Sequence, residues 1–286
     1  MARLTCILIG LALLAAAGCG EDSAIYTTEA RLNNGLVIIL PGIEGESSMN
    51  HGIRQGLQNS GCNRALPIYS WGRPIPGVGM ILNQVDFIGN RLAGVRIAKM
   101  IEEYQDQHPG KPVYLVGHSG GGGVAVFVAE GLSEGRQVDG LVLLSASIWS
   151  GYDLTKAMGR CRNGIVNFYN ESDVGLLGVG TTVLSNVDGM KGPSAGLVGF
   201  TRSKASDPPE KRAAYSKLYQ VPISAGMGSG DDPHAAVTRP RYVSAYVAPW
   251  ISSSSWPAGR ASSTAQLSRE SKDAIAALEA NRPKER

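Results

Sequence analysis

The chain has 286 residues, of which 43% are apolar and 18% are charged, and its formal net charge at pH 7 is +3. These fractions are those of an ordinary globular protein, and the length fits one large domain or two small ones. The lysines and arginines are scattered rather than grouped in a basic stripe, so the sequence gives no reason to expect a nucleic acid as partner.

The first twenty residues, MARLTCILIGLALLAAAGCG, have the pattern of a secretory signal peptide. Arg3 supplies a positive charge, and the apolar run from Leu4 to Ala17 covers about 21 Å as a helix, too short for the ~30 Å core of a bilayer. The end of the run resembles the lipobox of bacterial lipoproteins, with Ala16 where Leu is usual. This resemblance implies cleavage before Cys19, a lipid anchor on Cys19 and a place in the cell envelope. An ordinary secretory cleavage is the alternative.

The cysteines are few. Cys6 lies within the predicted signal peptide, residues 1–18, and Cys19 would carry the lipid. Cys62 and Cys161 remain in a compartment that permits disulfides, so both a bridge and two separate buried thiols fit the sequence.

Short apolar runs alternate with stretches of helical periodicity from residue 35 onward. Apolar runs of this kind predict strands that are buried on both faces of a sheet. Pro67, in the second run, lacks the N–H that a sheet interior requires and is an awkward strand residue. The predicted strands are residues 35–42, 64–71, 111–117, 138–147, 164–170 and 195–200.

Helices are predicted between these strands. One covers residues 49–61 and ends at a glycine, and another covers residues 122–132, directly after a run of glycines. The longest runs from about Asn83 to Gln107, where a Pro-Gly pair ends it. Its apolar face is predicted to consist of Val85, Ile88, Leu92, Val95, Met100 and Ile101.

This alternation predicts an α/β protein with a mostly parallel, doubly wound sheet of about six or more strands. We assign residues 35–251 to one domain and residues 19–34 to an N-terminal linker. Residues 252–286 are rich in Ser, Ala and charge, and we expect them to be largely disordered.

The stretch VYLVGHSGGGGVAVFVAEGL, residues 113–132, matches parts of three motifs. A P-loop requires Lys and then Ser or Thr after its last glycine, and the Val124-Ala125 pair found there excludes it. The pattern Gly120-x-Gly122-x-x-Ala125 matches the dinucleotide-binding motif, but the next strand ends without the carboxylate that would hold a ribose. The third motif, G-x-S-x-G, is met by Gly117-His118-Ser119-Gly120-Gly121.

The setting of this third motif is that of a nucleophile elbow. In such an elbow the serine lies on a strained turn between a strand and a helix, so that its oxygen projects above the sheet. Gly117 and Gly121, two residues before and two after Ser119, let neighbouring backbones pass without a Cβ collision. The start of the following helix directs free N–H groups at the reacting oxygen.

In these residues the sequence resembles the α/β-hydrolase family of serine esterases, lipases and thioesterases, over about residues 35–250. The resemblance implies the α/β-hydrolase fold and the chain order Ser, acid, His. It implies no cofactor. The sequence also has no H-E-x-x-H motif and no pair of cysteines at zinc spacing.

The general base is expected downstream of the nucleophile, and His234 is the only one of the four histidines that lies there. His118 is expected to point away from the serine and to shape the elbow. His108 is expected to be a solvated cap at a helix end, and His51 stands too early in the chain.

The acid is expected shortly after the strand that ends at residue 170. Asp173 fits best, and Glu171 is the runner-up. Two N–H groups should bind the oxyanion. The resemblance assigns them to Gly120 and to Ile43, in the loop LPGIEG, where Pro41 replaces the usual His.

The predicted function is the hydrolysis of carboxylic esters or related acyl bonds, with a small-molecule or lipid ester as substrate. A thioesterase or a peptidase would use the same triad. The alternative from another class is a catalytically silent α/β-hydrolase scaffold that acts as an envelope binding protein.

Overall fold

A computed structural model describes residues 24–72, 83–171, 173, 185–223 and 232–256. The predicted signal peptide, Cys19 and residues 257–286 of the predicted tail lie outside these residues. The described chain forms one parallel sheet with helices on both faces, which confirms the predicted fold class. No helix within these ranges has the length and apolar character needed to cross a membrane.

The sheet holds five parallel strands that lie side by side in the order of the chain. Every residue of the first three strands is buried, because helices cover both faces of the sheet. The strands are β1 (Leu36–Leu40), β2 (Val113–His118), β3 (Gly140–Leu144), β4 (Ile165–Tyr169) and β5 (Leu218–Pro222).

The helices form two layers. One layer packs against the face of β1 that carries Ile38, and the other packs against the face that carries Ile39. The helices are α1 (Glu29–Leu32), α2 (Ser48–Asn59), α3 (Phe87–Gln107), α4 (Gly120–Gly131), α5 (Thr155–Gly159), α6 (Ala195–Val198), α7 (Pro209–Tyr215), α8 (Pro233–Ala236), α9 (Pro240–Tyr242), a π-helical turn (Val243–Val247) and α10 (Ala248–Ser252). Helices α3 and α4 lie in the first layer, and α2 and the C-terminal helices lie in the second.

The second predicted strand lies beside β1, but its hydrogen bonding is broken. The N–H groups of Val37 and Ile39 donate to the carbonyls of Ala65 and Pro67, each at 2.9 Å. Pro67 has no N–H to donate back to Val37, so the pairing is reduced to isolated bridges. The described sheet therefore has five strands and this edge segment rather than six full strands.

The sixth predicted strand, over 195–200, is wrong. Its first four residues form helix α6, and the strand that completes the sheet is β5, which the apolar pattern did not predict. The sequence of β5, LYQVP, contains the polar Gln220 and ends in proline, so it lacks a continuous apolar run. The Gln220 side chain is satisfied there, since its amide donates to the carbonyl of Phe200 at 2.9 Å.

Most of the residues predicted to form the buried apolar face of α3 are exposed instead. Ile88, Leu92 and Val95 are 76%, 55% and 40% exposed, whereas Met100 and Ile101 are buried. The reason is the close approach of α4. A Cβ on Gly94 of α3 would lie 2.8 Å from the Cβ of Phe127 of α4. Small residues therefore face α4, and the larger apolar side chains of this half of α3 point outward.

The packed domain extends beyond both of its predicted limits. Leu32 in α1 is buried, and its carbonyl accepts a hydrogen bond of 2.7 Å from the Tyr104 hydroxyl. Trp256 is buried at the other end. Its ring centroid lies 5.0 Å from that of Trp250 and 5.7 Å from that of Tyr219. Its indole N–H donates to the carbonyl of Trp250 at 2.8 Å.

Cys62 and Cys161 are two separate thiols. Neither forms a disulfide, and they lie in opposite helical layers of the sheet. Cys161 is fully buried, and this burial raises the pKa of its thiol well above the usual value.

Trp256 should make a large contribution to stability, because its indole ring closes the second layer of the core. We expect Trp256→Ala to lower the free energy of unfolding by about 3–5 kcal/mol. Denaturant titration measures this change. Val198→Ala, which removes an exposed apolar side chain, should change stability by less than about 0.5 kcal/mol. An equal loss in both variants would contradict the packing described for Trp256.

Candidate active site

Ser119 forms a strained turn between β2 and α4. The strand ends at His118 and the helix begins at Gly120, so one residue makes the connection, with φ of 52° and ψ of −122°. Residues other than glycine rarely adopt positive φ, and such strain collects at functional sites. The Ser119 carbonyl accepts hydrogen bonds from the N–H groups of Gly122 at 3.0 Å and Ser147 at 2.9 Å, which hold the turn. Its hydroxyl has no hydrogen-bond partner among the described residues.

Two glycines of the motif lie where backbones touch. A Cβ on Gly117 would lie 2.4 Å from the carbonyl oxygen of Gly121. A Cβ on Gly121 would lie 2.2 Å from the carbonyl oxygen of Leu40 and 2.3 Å from that of Pro41. Any larger residue at either position would push the start of α4 away from β2 and from the end of β1.

His234 and Asp173 form a buried pair. Nδ1 of His234 lies 2.6 Å from Oδ2 of Asp173, and both residues are nearly inaccessible to solvent. The carboxylate accepts, so Nδ1 carries the hydrogen, and in the neutral imidazole this leaves the lone pair on Nε2. Asp232 caps helix α8, since its carboxylate accepts from the N–H of His234 at 3.0 Å. The imidazole is therefore fixed both through its ring and through its backbone.

The other sequence candidates lie elsewhere. Glu171, the alternative acid, is exposed. His51 is exposed and lies 3.2 Å from Glu46. His108 caps the end of α3, as predicted, but it is buried rather than solvated, because its ring stacks on that of Tyr104 with a centroid distance of 4.7 Å.

His118 has a contact that the sequence did not indicate. Its Nε2 lies 3.2 Å from the backbone carbonyl oxygen of His234, and the two rings are 4.7 Å apart. A carbonyl only accepts, so Nε2–H of His118 donates and fixes the backbone of His234. Burial lowers the pKa of His118 to about 3, and the nearby His234 adds to this effect. His118 is therefore neutral in the folded protein at pH 7.

The loop after β1 lies against the start of α4. Cγ2 of Ile43 is 2.9 Å from the position of a Cβ on Gly120, and the N–H groups of both residues donate no hydrogen bond within the described chain. Two side chains that the motifs did not single out hold this loop. The Trp71 indole N–H donates to the carbonyl of Pro41 at 2.7 Å, and the Asn83 amide donates to that of Ile43 at 2.9 Å. Ile43 and Gly120, whose N–H groups are both unpaired within the described chain, are therefore in contact through the Ile43 side chain.

Glu44 lies at the same loop. Its Oε1 accepts a hydrogen bond of 3.3 Å from the Ser47 hydroxyl. Burial raises the pKa of the Glu44 carboxyl, against the opposing effects of hydrogen bonds and of the nearby His234. Within the described ranges, no group of three or more His, Cys, Asp or Glu side chains could hold a metal ion.

Comparison with known proteins agrees with this architecture. A family model described as serine aminopeptidase, S33, matches residues 96–217, a range that includes Ser119 and Asp173. The structure is similar to that of lipase B from Aspergillus fumigatus, with a TM-score of 0.50 and 13% identity, over 89% of this chain and 60% of the lipase. The chain has the α/β-hydrolase fold.

A second similar structure shares a smaller part of the chain. The pyrethroid hydrolase from Sphingobium faniae JZ-2 is 20% identical over 41% of this chain and 42% of that protein, with a TM-score of 0.29. The chain covers less than two thirds of the length of either of these two structures. No curated protein gave a significant sequence match.

The candidate catalytic residues all follow strands at the same edge of the sheet. Ser119 directly follows β2, Asp173 follows β4, and His234 follows β5. The carboxyl ends of parallel strands share an edge, which is where open α/β sheets bind their ligands. The residues between β5 and α8 at 224–231 lie outside the described chain.

The neutral state of His118 predicts a loss of stability in acid. The unfolded chain binds a proton at its ordinary pKa of 6.5, whereas folded His118 resists protonation down to about 3. Stability is therefore lost as the pH falls below 6.5, by about 2 kcal/mol between pH 7 and pH 5. His118→Asn should lose less stability than the wild type over this interval, by about that amount.

Urea titrations at the two pH values test this prediction. Trp256→Ala removes no titrating group and should keep the full pH dependence of the wild type. An unchanged pH dependence in His118→Asn would show that this histidine is protonated in the folded state as readily as in the unfolded state.

Proposed function

We propose that this chain is a serine hydrolase that cleaves carboxylic esters through an acyl-enzyme intermediate on Ser119. The observation that carries the proposal is the buried 2.6 Å contact between His234 and Asp173, at the sheet edge where Ser119 forms its strained turn. A carboxylate that fixes one tautomer of a histidine suits general-base catalysis by the other ring nitrogen. A neutral serine hydroxyl requires such a base in order to attack a carbonyl carbon.

Acylation follows from these positions. Oγ of Ser119 forms a bond to the ester carbon while Nε2 of His234 accepts the hydroxyl proton. Asp173 stabilises the imidazolium that results. The carbonyl electron pair moves to oxygen, and the N–H groups of Gly120 and Ile43 donate to this oxyanion. Its collapse breaks the bond to the alcohol oxygen, which leaves with the proton from His234.

Deacylation repeats the sequence with water. His234 accepts a proton from the attacking water, and the oxyanion forms again beside Gly120 and Ile43. The second collapse releases the carboxylic acid and returns the proton to Ser119. The side chains named here carry out every proton transfer in both halves of the reaction.

The surroundings of Gly120 support an apolar acyl group as the substrate class. Ile43, Trp71 and Val187 each place a carbon within 3.3 Å of the position of a Cβ on Gly120. Apolar walls with a few convergent polar groups are typical of small-molecule sites. We propose a small-molecule or lipid ester as the substrate.

We also propose that the mature chain is held in the cell envelope by a lipid on Cys19. The support is the sequence pattern of residues 1–20, with Arg3 before an apolar run that ends at the lipobox-like cysteine. A lipid anchor at this position would place the hydrolase at a membrane surface.

A fluorophosphonate probe tests the nucleophile. We expect the wild type to be labelled, and Ser119→Ala and His234→Ala to lose labelling, because the probe reacts with a serine activated by its base. Ser147→Ala is the matched control, since Ser147 donates to the Ser119 carbonyl through its backbone N–H, and its hydroxyl accepts from the Gln84 amide at 3.4 Å. A folded wild type without label would favour the silent scaffold, and labelling that survives Ser119→Ala would place the nucleophile elsewhere.

Ester kinetics test the acid. Asp173→Asn places an amide beside Nδ1 of His234, which favours the wrong tautomer, so kcat should fall by about 10⁴-fold with a smaller change in KM. Glu171→Gln alters an exposed carboxylate and should keep the wild-type kcat. The opposite result would make Glu171 the acid. Thioester and peptide substrates in the same assay separate an esterase from a thioesterase or a peptidase.

A further inference from the structure

The loop after β1 is fixed by side chains from outside it. The Trp71 indole N–H donates to the carbonyl of Pro41, and the Asn83 amide donates to the carbonyl of Ile43. Trp71 and Asn83 are both buried. A peptide unit is planar, so a hydrogen bond that fixes its carbonyl also fixes the direction of its N–H. The two bonds therefore hold the peptide units on either side of the one that carries the Ile43 N–H.

The peptide unit between these two is fixed by a turn. The N–H of Gly45 donates to the carbonyl of Gly42 at 3.1 Å. Gly45 has a φ of 80°, a conformation that glycine adopts readily and that lets the chain close this turn. The carbonyl of Gly42 and the N–H of Ile43 belong to the same trans peptide unit, so they point in opposite directions. The turn therefore directs the Ile43 N–H away from Gly45.

Trp71 and Asn83 tie this loop to two other parts of the fold. Cζ2 of Trp71 lies 3.3 Å from the position of a Cβ on Gly120, at the start of α4. The carbonyl of Asn83 accepts a hydrogen bond of 3.0 Å from the amide of Asn90 in α3, and the same amide donates to the carbonyl of Val187 at 3.2 Å. The loop is thus connected both to the helix that follows Ser119 and to α3.

An oxyanion hole requires this kind of support. Its donors stabilise the transition state most when they already point to the place where negative charge develops. The loop contains Gly42 and Gly45, and glycine lets neighbouring peptide units rotate easily. A peptide unit that turned over would present a carbonyl oxygen in place of the N–H and would repel the oxyanion. The loop therefore needs contacts that keep one orientation.

We propose that Asn83 and the indole N–H of Trp71 are positioning groups for the oxyanion hole. They hold the Ile43 N–H in place before the substrate arrives. This inference rests on the proposed function, in which Ile43 and Gly120 bind the oxyanion. Loss of one oxyanion donor lowers kcat by about 10²–10³-fold. A donor that is present but displaced should cost less, about ten- to a hundredfold.

Ester kinetics and a pair of inhibitors test this role. An alkyl trifluoromethyl ketone forms the oxyanion reversibly: Oγ of Ser119 bonds to its carbonyl carbon, His234 accepts the hydroxyl proton, and the carbonyl electron pair moves to oxygen. The corresponding trifluoromethyl alcohol fills the same site and forms no oxyanion. In Asn83→Ala and in Trp71→Phe, kcat and the affinity for the ketone should fall together, by about ten- to a hundredfold. KM and the affinity for the alcohol should change little.

The matched control is Asn167→Ala. Asn167 is also buried, and its amide also donates to a backbone carbonyl, that of Ala195 at 2.9 Å. It lies in β4, which two strands separate from β1. We expect this variant to keep the wild-type ratio between the two inhibitor affinities, even where its melting temperature falls. Loss of stability alone lowers the fraction of active protein, which exhaustive labelling with the fluorophosphonate probe counts.

The outcomes separate this role from the proposed function. A wild type that neither reacts with the probe nor hydrolyses esters would refute both. An active wild type, with unchanged affinity for the ketone in Asn83→Ala, would overturn the positioning role alone. Equal losses of affinity for the ketone and the alcohol would also overturn it, because they would assign the side chain to the shape of the substrate pocket. Trp71→Phe keeps an aromatic ring and decides the same question if Asn83→Ala does not fold.

Discussion

The candidate site depends on one close contact between backbones. Gly121, in the first turn of α4, lies against the carbonyl oxygens of Leu40 and Pro41 at the end of β1. This contact brings together two segments that are far apart in sequence, the turn that carries Ser119 and the loop that carries Ile43. Because no side chain separates them, the loop that carries Ile43 packs directly against the start of α4, as the proposed oxyanion hole requires.

His234 is held at three points: its ring, its backbone N–H and its backbone carbonyl. The Asp173 carboxylate holds the ring, the Asp232 carboxylate holds the N–H, and the neutral His118 ring holds the carbonyl. The histidine belongs to a short helix that lacks enough internal hydrogen bonds to be stable alone. The contacts from other parts of the fold supply the rigidity that the general-base role proposed for His234 requires.

The sequence predicted the structure best where a short motif determines it. The motif around Ser119 requires particular residues at fixed spacing, and the strand and helix on either side of it are present as predicted. The outward face of α3 was not predictable, because it depends on how closely α4 approaches Gly94. Strand β5 was not predicted because it lacks a continuous apolar run. Its polar residue Gln220 is accommodated by a tertiary hydrogen bond to Phe200, which the sequence does not show. Trp71 and Asn83 were also not predicted to hold the loop after β1, because they bond carbonyls that are 30 and 40 residues away in the sequence.

The two ends of the packed domain lie at the edge of the sheet opposite the catalytic loops. Leu32 lies just before the start of β1, and Trp256 packs against Gly140, the first residue of β3. Ser119, in contrast, follows the last residue of β2. A tether joined at either end of the packed domain, whether a lipid, a linker or a purification tag, would therefore be attached at the edge of the sheet opposite Ser119. Immobilisation through either end should therefore keep the path to the serine open.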